Sequence, residues 1–126
     1  MEEKKRPGLP MVFPCSGAAD TGAIADGAAR WLARHETAKM FCLAGIGAKV
    51  ERIVTDTEHA EKLIALDGCD NDCSRKILEA AGFKPALHVR ITDLGMEKGR
   101  SPATLNRIRI VIEEIERQID DQDGVQ

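Results

Sequence analysis

Four cysteines fall at three joints where an apolar, strand-like run gives way to a turn. Cys15 closes Leu9-Pro10-Met11-Val12-Phe13-Pro14. Cys42 closes Lys39-Met40-Phe41 and leads into Leu43-Ala44-Gly45-Ile46-Gly47. Cys69 and Cys73 follow Leu63-Ile64-Ala65-Leu66-Asp67-Gly68. In a parallel α/β sheet all strand-to-helix turns lie along the C-terminal edge, where such sheets bind their ligands. The pattern therefore predicts four thiols gathered on one edge. That donor set suits a tetrahedral, all-cysteine zinc site with Zn–S bonds of ~2.3 Å, and it also suits an iron–sulfur cluster. Zinc fingers and ribbons use two close pairs, whereas only Cys69/Cys73 is close here. The plain alternative is four unrelated small core residues, because free cysteine packs well in apolar interiors.

The neighbours of these cysteines favour a cation. Asp20, Asp67, Asp70 and Asp72 fall in or beside the turns. Carboxylates oppose an isolated thiolate, and a bound divalent cation reverses that effect. Gly17, Gly45, Gly47 and Gly68 allow backbone N–H groups to turn toward sulfur. Asp67, Gly68, Gly45 and Ser16 are the residues expected to surround the ligands, with Asp70 as a helix cap. His35, His59 and His88 read as residents of the opposite edge, about 15 Å away, and so as surface or helix-end residues.

The elements that must position the cysteines alternate in kind. Strands are expected at Leu9–Pro14, Lys39–Leu43, Leu63–Leu66 and Ala86–Thr92. Helices follow each of them. The first carries Ile24, Ala28, Trp31 and Leu32 on one face. The second turns Val50, Ile53 and Val54 inward. The third starts near Asp70 or Asn71 and stops at Gly82. The last opens at Ser101-Pro102 and carries Ile108, Val111, Ile112, Ile115 and Ile119. Repeated βαβ units predict a single-domain α/β fold, three-layer α/β/α, with a four-stranded, mainly parallel Rossmann/flavodoxin-like sheet. Residues 1–8 read as a disordered lead-in, 9–121 as the domain and 122–126 as a frayed tail.

The totals exclude several classes. The chain has 126 residues, 43% hydrophobic and 31% charged, which suits one soluble domain with a real core. It has three Phe, one Trp and no Tyr, too few faces for stacking nucleic-acid bases. A net charge of -3 gives no pull toward phosphate backbones. No apolar run reaches the ~20 residues of a membrane span, and the charged start has no signal-peptide core behind it. The expected location is the cytoplasm, where thiols stay reduced and serve metals or redox chemistry. Expected partners are a metal ion and a protein, with neither nucleic acid nor membrane. Ile110, off the main helical stripe, is consistent with a monomer or a weak homodimer.

Two motifs fail on inspection. Pro14-Cys15-Ser16-Gly17-Ala18-Ala19-Asp20-Thr21 is similar to the loop of cysteine phosphatases and arsenate reductases, but Thr21 stands where those loops need an arginine. Gly45-Ile46-Gly47 matches only two glycines of a dinucleotide fingerprint, and Val50 occupies the third.

Several motifs in order resemble the DGC-domain family: Pro14-Cys15-Ser16-Gly17, Lys39 to Gly47, Asp67-Gly68-Cys69 with Cys73, and Thr92-Asp93-Leu94-Gly95 with Lys98. The resemblance spans about residues 9 to 98. It implies zinc binding, with Cys15, Cys42, Cys69 and Cys73 as the chelating set, and it supplies no reaction. Two other functions compete. One is a thiol redox or sulfur-transfer enzyme using Cys15 with the Cys69/Cys73 pair. The other is an iron–sulfur carrier. Lys98 and Arg100 fall at the same edge, as a solvated loop or a contact for an acidic partner. Asp93 falls beside it, as a turn cap or a neighbour of the ligands.

Overall fold

Met11-Val12-Phe13-Pro14 and Leu63-Ile64-Ala65-Leu66 are apolar and buried at every position. Strands of this kind need helices on both faces of their sheet. The computed structural model, which describes residues 8–124, has that architecture. Its elements are β1 (Met11–Pro14), α1 (Asp20–Arg34), β2 (Lys39–Met40), α2 (Leu43–Gly47), α3 (Glu51–Glu58), β3 (Leu63–Asp67), α4 (Cys73–Ala80), β4 (Leu87–Arg90), a 3-10 turn (Ile91–Leu94) and α5 (Leu105–Gly124).

The four strands are all parallel, in the order β2-β1-β3-β4. This is the flavodoxin-type order without a fifth strand. Alternate residues face opposite layers. Val12, Ile64, Leu66 and Val89 pack against Ile24, Ala28 and Leu32 of α1 and Val111 and Ile115 of α5. Met11, Phe13, Leu63 and Ala65 pack against Leu43 and Ile46 of α2 and Leu78 of α4. The three-layer α/β fold expected from the pattern is present. No helix of the described residues is long and apolar enough to cross a membrane.

Several boundaries differ from expectation. β2 keeps only two residues, and Leu43 already belongs to α2. The second helix is two, broken at Ala48-Lys49-Val50, where Lys49 has φ +60°. Val50 is therefore 44% exposed rather than inward. α4 begins at Cys73, later than Asp70 or Asn71. It ends as expected at Gly82, whose φ of +90° closes the helix while the Phe83 N–H donates to the Leu78 carbonyl at 2.9 Å. β4 stops at Arg90 because the chain turns into the 3-10 segment. α5 starts at Leu105, capped by Thr104 Oγ1, which accepts the Arg107 N–H at 3.2 Å. Ser101-Pro102 precedes that cap. α5 runs through Gly124, so the expected frayed tail at 122–126 is helical as far as Gly124. Residues 125 and 126, and residues 1–7 of the expected lead-in, lie outside the described residues.

Candidate metal centre

β1 and β3 are neighbours, and the chain leaves their C-terminal ends toward opposite layers. This is the switch point at which open α/β sheets bind ligands. Cys15 follows the last residue of β1, and its N–H donates to the Leu66 carbonyl of β3 at 2.9 Å. Asp67 ends β3, so Gly68 and Cys69 lie directly beside Cys15. The Gly68 N–H donates to Cys15 Sγ at 3.2 Å. On the other side, Cys42 is the cap of α2, and its Sγ accepts the Gly45 N–H at 3.3 Å. Lys98 Nζ donates to Cys69 Sγ at 3.6 Å. Three of the four sulfurs thus accept an N–H donor. Thiol sulfur is a weak acceptor, and N–H donors of this kind are also the partners that hold sulfur ligands in metal sites.

The four predicted thiols share the C-terminal edge without converging fully. Cys15 and Cys69 are half-buried, and Cys42 and Cys73 are exposed. Cys15 and Cys42 line one cleft of about 710 Å³ with Ser16, Arg30 and Phe41. Cys69 precedes α4, so Cys69 and Cys73 are not a one-turn pair on a helix face. A tetrahedral site with ~2.3 Å bonds needs sulfurs about 3.8 Å apart. Among the described residues, the only group of three or more potential ligands within 4.8 Å of one another is Asp67, Asp72 and His88. The donor types and their shared edge fit a thiophilic cation, and binding one requires the turns to draw inward.

Strained backbone adjoins two of the thiols. Ser16, next to Cys15, has φ +51°, and Asp72, next to Cys73, has φ +54°. Such left-handed conformations cost about 1–3 kcal/mol each in non-glycine residues and cluster at functional sites. Side-chain bonds hold both. Ser16 Oγ donates to Asp26 Oδ1 at 2.9 Å. Asp72 receives Arg90 through two nitrogens, at 2.9 and 2.8 Å, and Arg75 at 3.2 Å. The Arg90 hydrogen bond, with help from Arg75, lowers the Asp72 carboxyl to a pKa of about 2.

The aspartates do not form the acidic surround expected from the sequence. Asp67 is fully buried and caps α4 from outside the helix. Its oxygens accept the Ser74 N–H at 2.6 Å and the Arg75 N–H at 3.2 Å. Ser74 Oγ in turn donates to the Phe13 carbonyl of β1 at 2.7 Å, tying α4 to the sheet. Asp20 accepts N–H bonds from Thr21 at 2.7 Å, Gly99 at 2.9 Å and Ser101 at 3.0 Å. Those bonds, Gly99 first, hold its carboxyl below the ordinary value against the opposing effect of burial. Asp70 is exposed and is not the helix cap. Asp20, Asp67 and Asp72 are thus engaged by backbone N–H groups and arginines, in and beside the turns that carry the cysteines.

His88 also departs from its expected place. It pairs with Ala65 of β3, and its Nε2 lies 2.9 Å from Asp67 Oδ2 and 3.4 Å from Asp72 Oδ1. The expectation took β4 to start at Ala86 with its side chains near the far edge. The strand is instead four residues long, and His88 stands opposite Ala65, on the same sheet face as Asp67 two residues further along β3. This triad is not an attractive cation site, because two guanidiniums and two helix N–H groups already hold its carboxylates. His35 and His59 do sit at helix ends, each with Nδ1 on a carbonyl four residues back. Asp93 meets Arg90 at 3.4 Å.

Gly68 has a different task from that of an ordinary turn glycine. A Cβ there would lie 2.8 Å from Gly22 N and Thr21 C and 2.9 Å from Thr21 O. Gly22 meets Gly17 backbone equally closely. Gly68 lets the first turn of α1 sit directly on the turn that carries Cys69, and Gly22 lets the same helix turn close on the loop that follows Cys15.

A parallel sheet of order 2-1-3-4 with cysteine-bearing turns at its switch point defines a small thiol-rich α/β domain. The DGC domain model matches residues 11–120, and the chain belongs to the DGC-domain family. The Anaerobic and virulence modulator AnvM of Pseudomonas aeruginosa is 33% identical over 90 residues, which are 71% of this chain and 69% of that protein. No solved structure matches the chain.

Proposed function

We propose that this protein binds a thiophilic metal ion, with zinc as the first choice, through Cys15, Cys42, Cys69 and Cys73. The observation that carries the reading is the set of N–H donors on three of the four sulfurs at the switch-point edge. Four thiolates leave zinc no open coordination position, so the role is metal holding or sensing rather than hydrolysis. The description of the Pseudomonas relative as a modulator agrees with a binding role in which a protein partner reads the metal state. A reduced compartment such as the cytoplasm suits free thiols of this kind.

The test is elemental analysis of protein purified anaerobically. About one zinc per chain, lost in the quadruple Cys→Ser variant, supports the proposal. Metal-free protein with four titratable thiols and no zinc uptake rejects it. Brown colour and visible absorption would assign an iron–sulfur cluster instead. A thiol redox reading draws on one observation, the open cleft shared by Cys15 and Cys42. Selective alkylation of one thiol near about pH 6 would favour it, and uniform labelling only above about pH 8 would not.

A further inference from the structure

We infer that Lys98 is the charge-matching residue of the four-cysteine centre, and that Asp20 is the anchor that holds Lys98 in place. The inference rests on the metal-binding reading above. A divalent cation with four thiolates carries a net charge of about −2, so the protein must supply compensating charge or hydrogen bonds. Among the described residues, the donors to Cys15 and Cys42 are neutral backbone N–H groups, from Gly68 and Gly45. Arg75 and Arg90 are both engaged by Asp72, the residue before Cys73. Lys98 is the cation that the described residues place on a sulfur.

A lysine on a surface loop ordinarily loses much side-chain entropy when it is held in one place. Here the loop itself is held. Residues 95–101 form a strap between the 3-10 turn and α5, bent at Gly95 (φ +83°) and Gly99 (φ +89°). Met96 is buried. The Glu97 N–H donates to Ser101 Oγ at 2.8 Å, and the Arg100 N–H donates to the Glu97 carbonyl at 2.9 Å. Asp20 then clamps the strap by accepting from Gly99 and Ser101, one on each carboxylate oxygen. Asp20 lies five residues beyond Cys15, at the start of α1. One carboxylate thus connects the Cys15 turn to the ammonium that meets Cys69.

The experiment measures zinc affinity by competition with a chelator of known affinity. It uses the full chain of the wild type, Lys98→Met, Lys98→Arg, Asp20→Asn and the Asp20→Asn/Lys98→Met double variant. Lys98→Met is expected to weaken zinc binding by ~10-fold or more, the usual effect of removing a partner of a metal ligand. Lys98→Arg should keep most of the affinity, and the loss in Lys98→Met should shrink at high salt. Asp20→Asn should weaken binding in the wild-type background and add little in the Lys98→Met background. Equal affinity of Lys98→Met and wild type overturns the inference, as does an Asp20→Asn effect of the same size in both backgrounds. If Asp20→Asn fails to fold, Lys98→Glu replaces it, and affinity no lower than that of Lys98→Met overturns the inference. Wild-type protein that takes up no zinc overturns the metal-binding reading itself, and this inference with it.

Discussion

Replacing Gly68 with alanine should loosen the joint between α1 and the Cys69 turn. Gly68 has no left-handed φ, so the effect comes from space alone. The new methyl would meet three backbone atoms of Thr21 and Gly22 at 2.8 to 2.9 Å. Backbone cannot rotate away as a flexible side chain can, so either α1 or the turn must shift. Overpacking of this kind costs about 1–3 kcal/mol. The lower entropy of the unfolded alanine chain returns about 0.4–1 kcal/mol. A net loss of roughly 1.3 kcal/mol is expected, or about 4–6 °C in Tm for a domain of this length. Gly17→Ala is the control, since a Cβ at Gly17 meets nothing within 4 Å. Thermal unfolding followed by circular dichroism compares the two. The shift should also disturb the Gly68 N–H bond to Cys15 Sγ, so Gly68→Ala should hold zinc more weakly than Gly17→Ala does. Melting of Gly68→Ala within a degree of Gly17→Ala would refute the close-approach argument.

Other consequences follow from the aspartates. Asp67→Asn turns an amide N–H toward a backbone N–H of α4 and weakens the contact with His88. A loss of about 2 kcal/mol is expected in urea unfolding, in the range for hydrogen bonds to a charged group; an unchanged midpoint would show that Asp67 is not the cap. The Asp20 carboxyl is depressed below its ordinary value, so its clamp is present above the unfolded pKa near 3.8 and is lost as pH falls through the lower folded value. The Gly99 and Ser101 amide resonances should therefore titrate with a midpoint below 3.8, and a midpoint at or above that value contradicts the clamp. The quadruple Cys→Ser and Lys98 variants supply the two remaining tests, by zinc content and by zinc affinity.

Much of this protein could be read from local pattern. Strands apolar at every position required helices on both faces, and short alternating segments required parallel crossovers. Once the strands were parallel, the address of each cysteine followed, because every strand-to-helix turn must lie on the same edge. Gly82 marked a helix end through its own backbone freedom. These features depend on side-chain periods of 2.0 and 3.6 and on residues a few positions apart. The partners of the charged side chains do not. Asp20 binds N–H groups 79 and 81 residues further on. Asp67 finds His88, and Asp72 finds Arg90, only because β4 lies beside β3. Strand order and the path of each turn decided which carboxylate met which donor. They also decided that the carboxylates cap helices and anchor arginines rather than face the sulfurs, and that Lys98 reaches Cys69. Local sequence specifies which face of an element is apolar; the position of a polar group in space comes only when the elements are packed together.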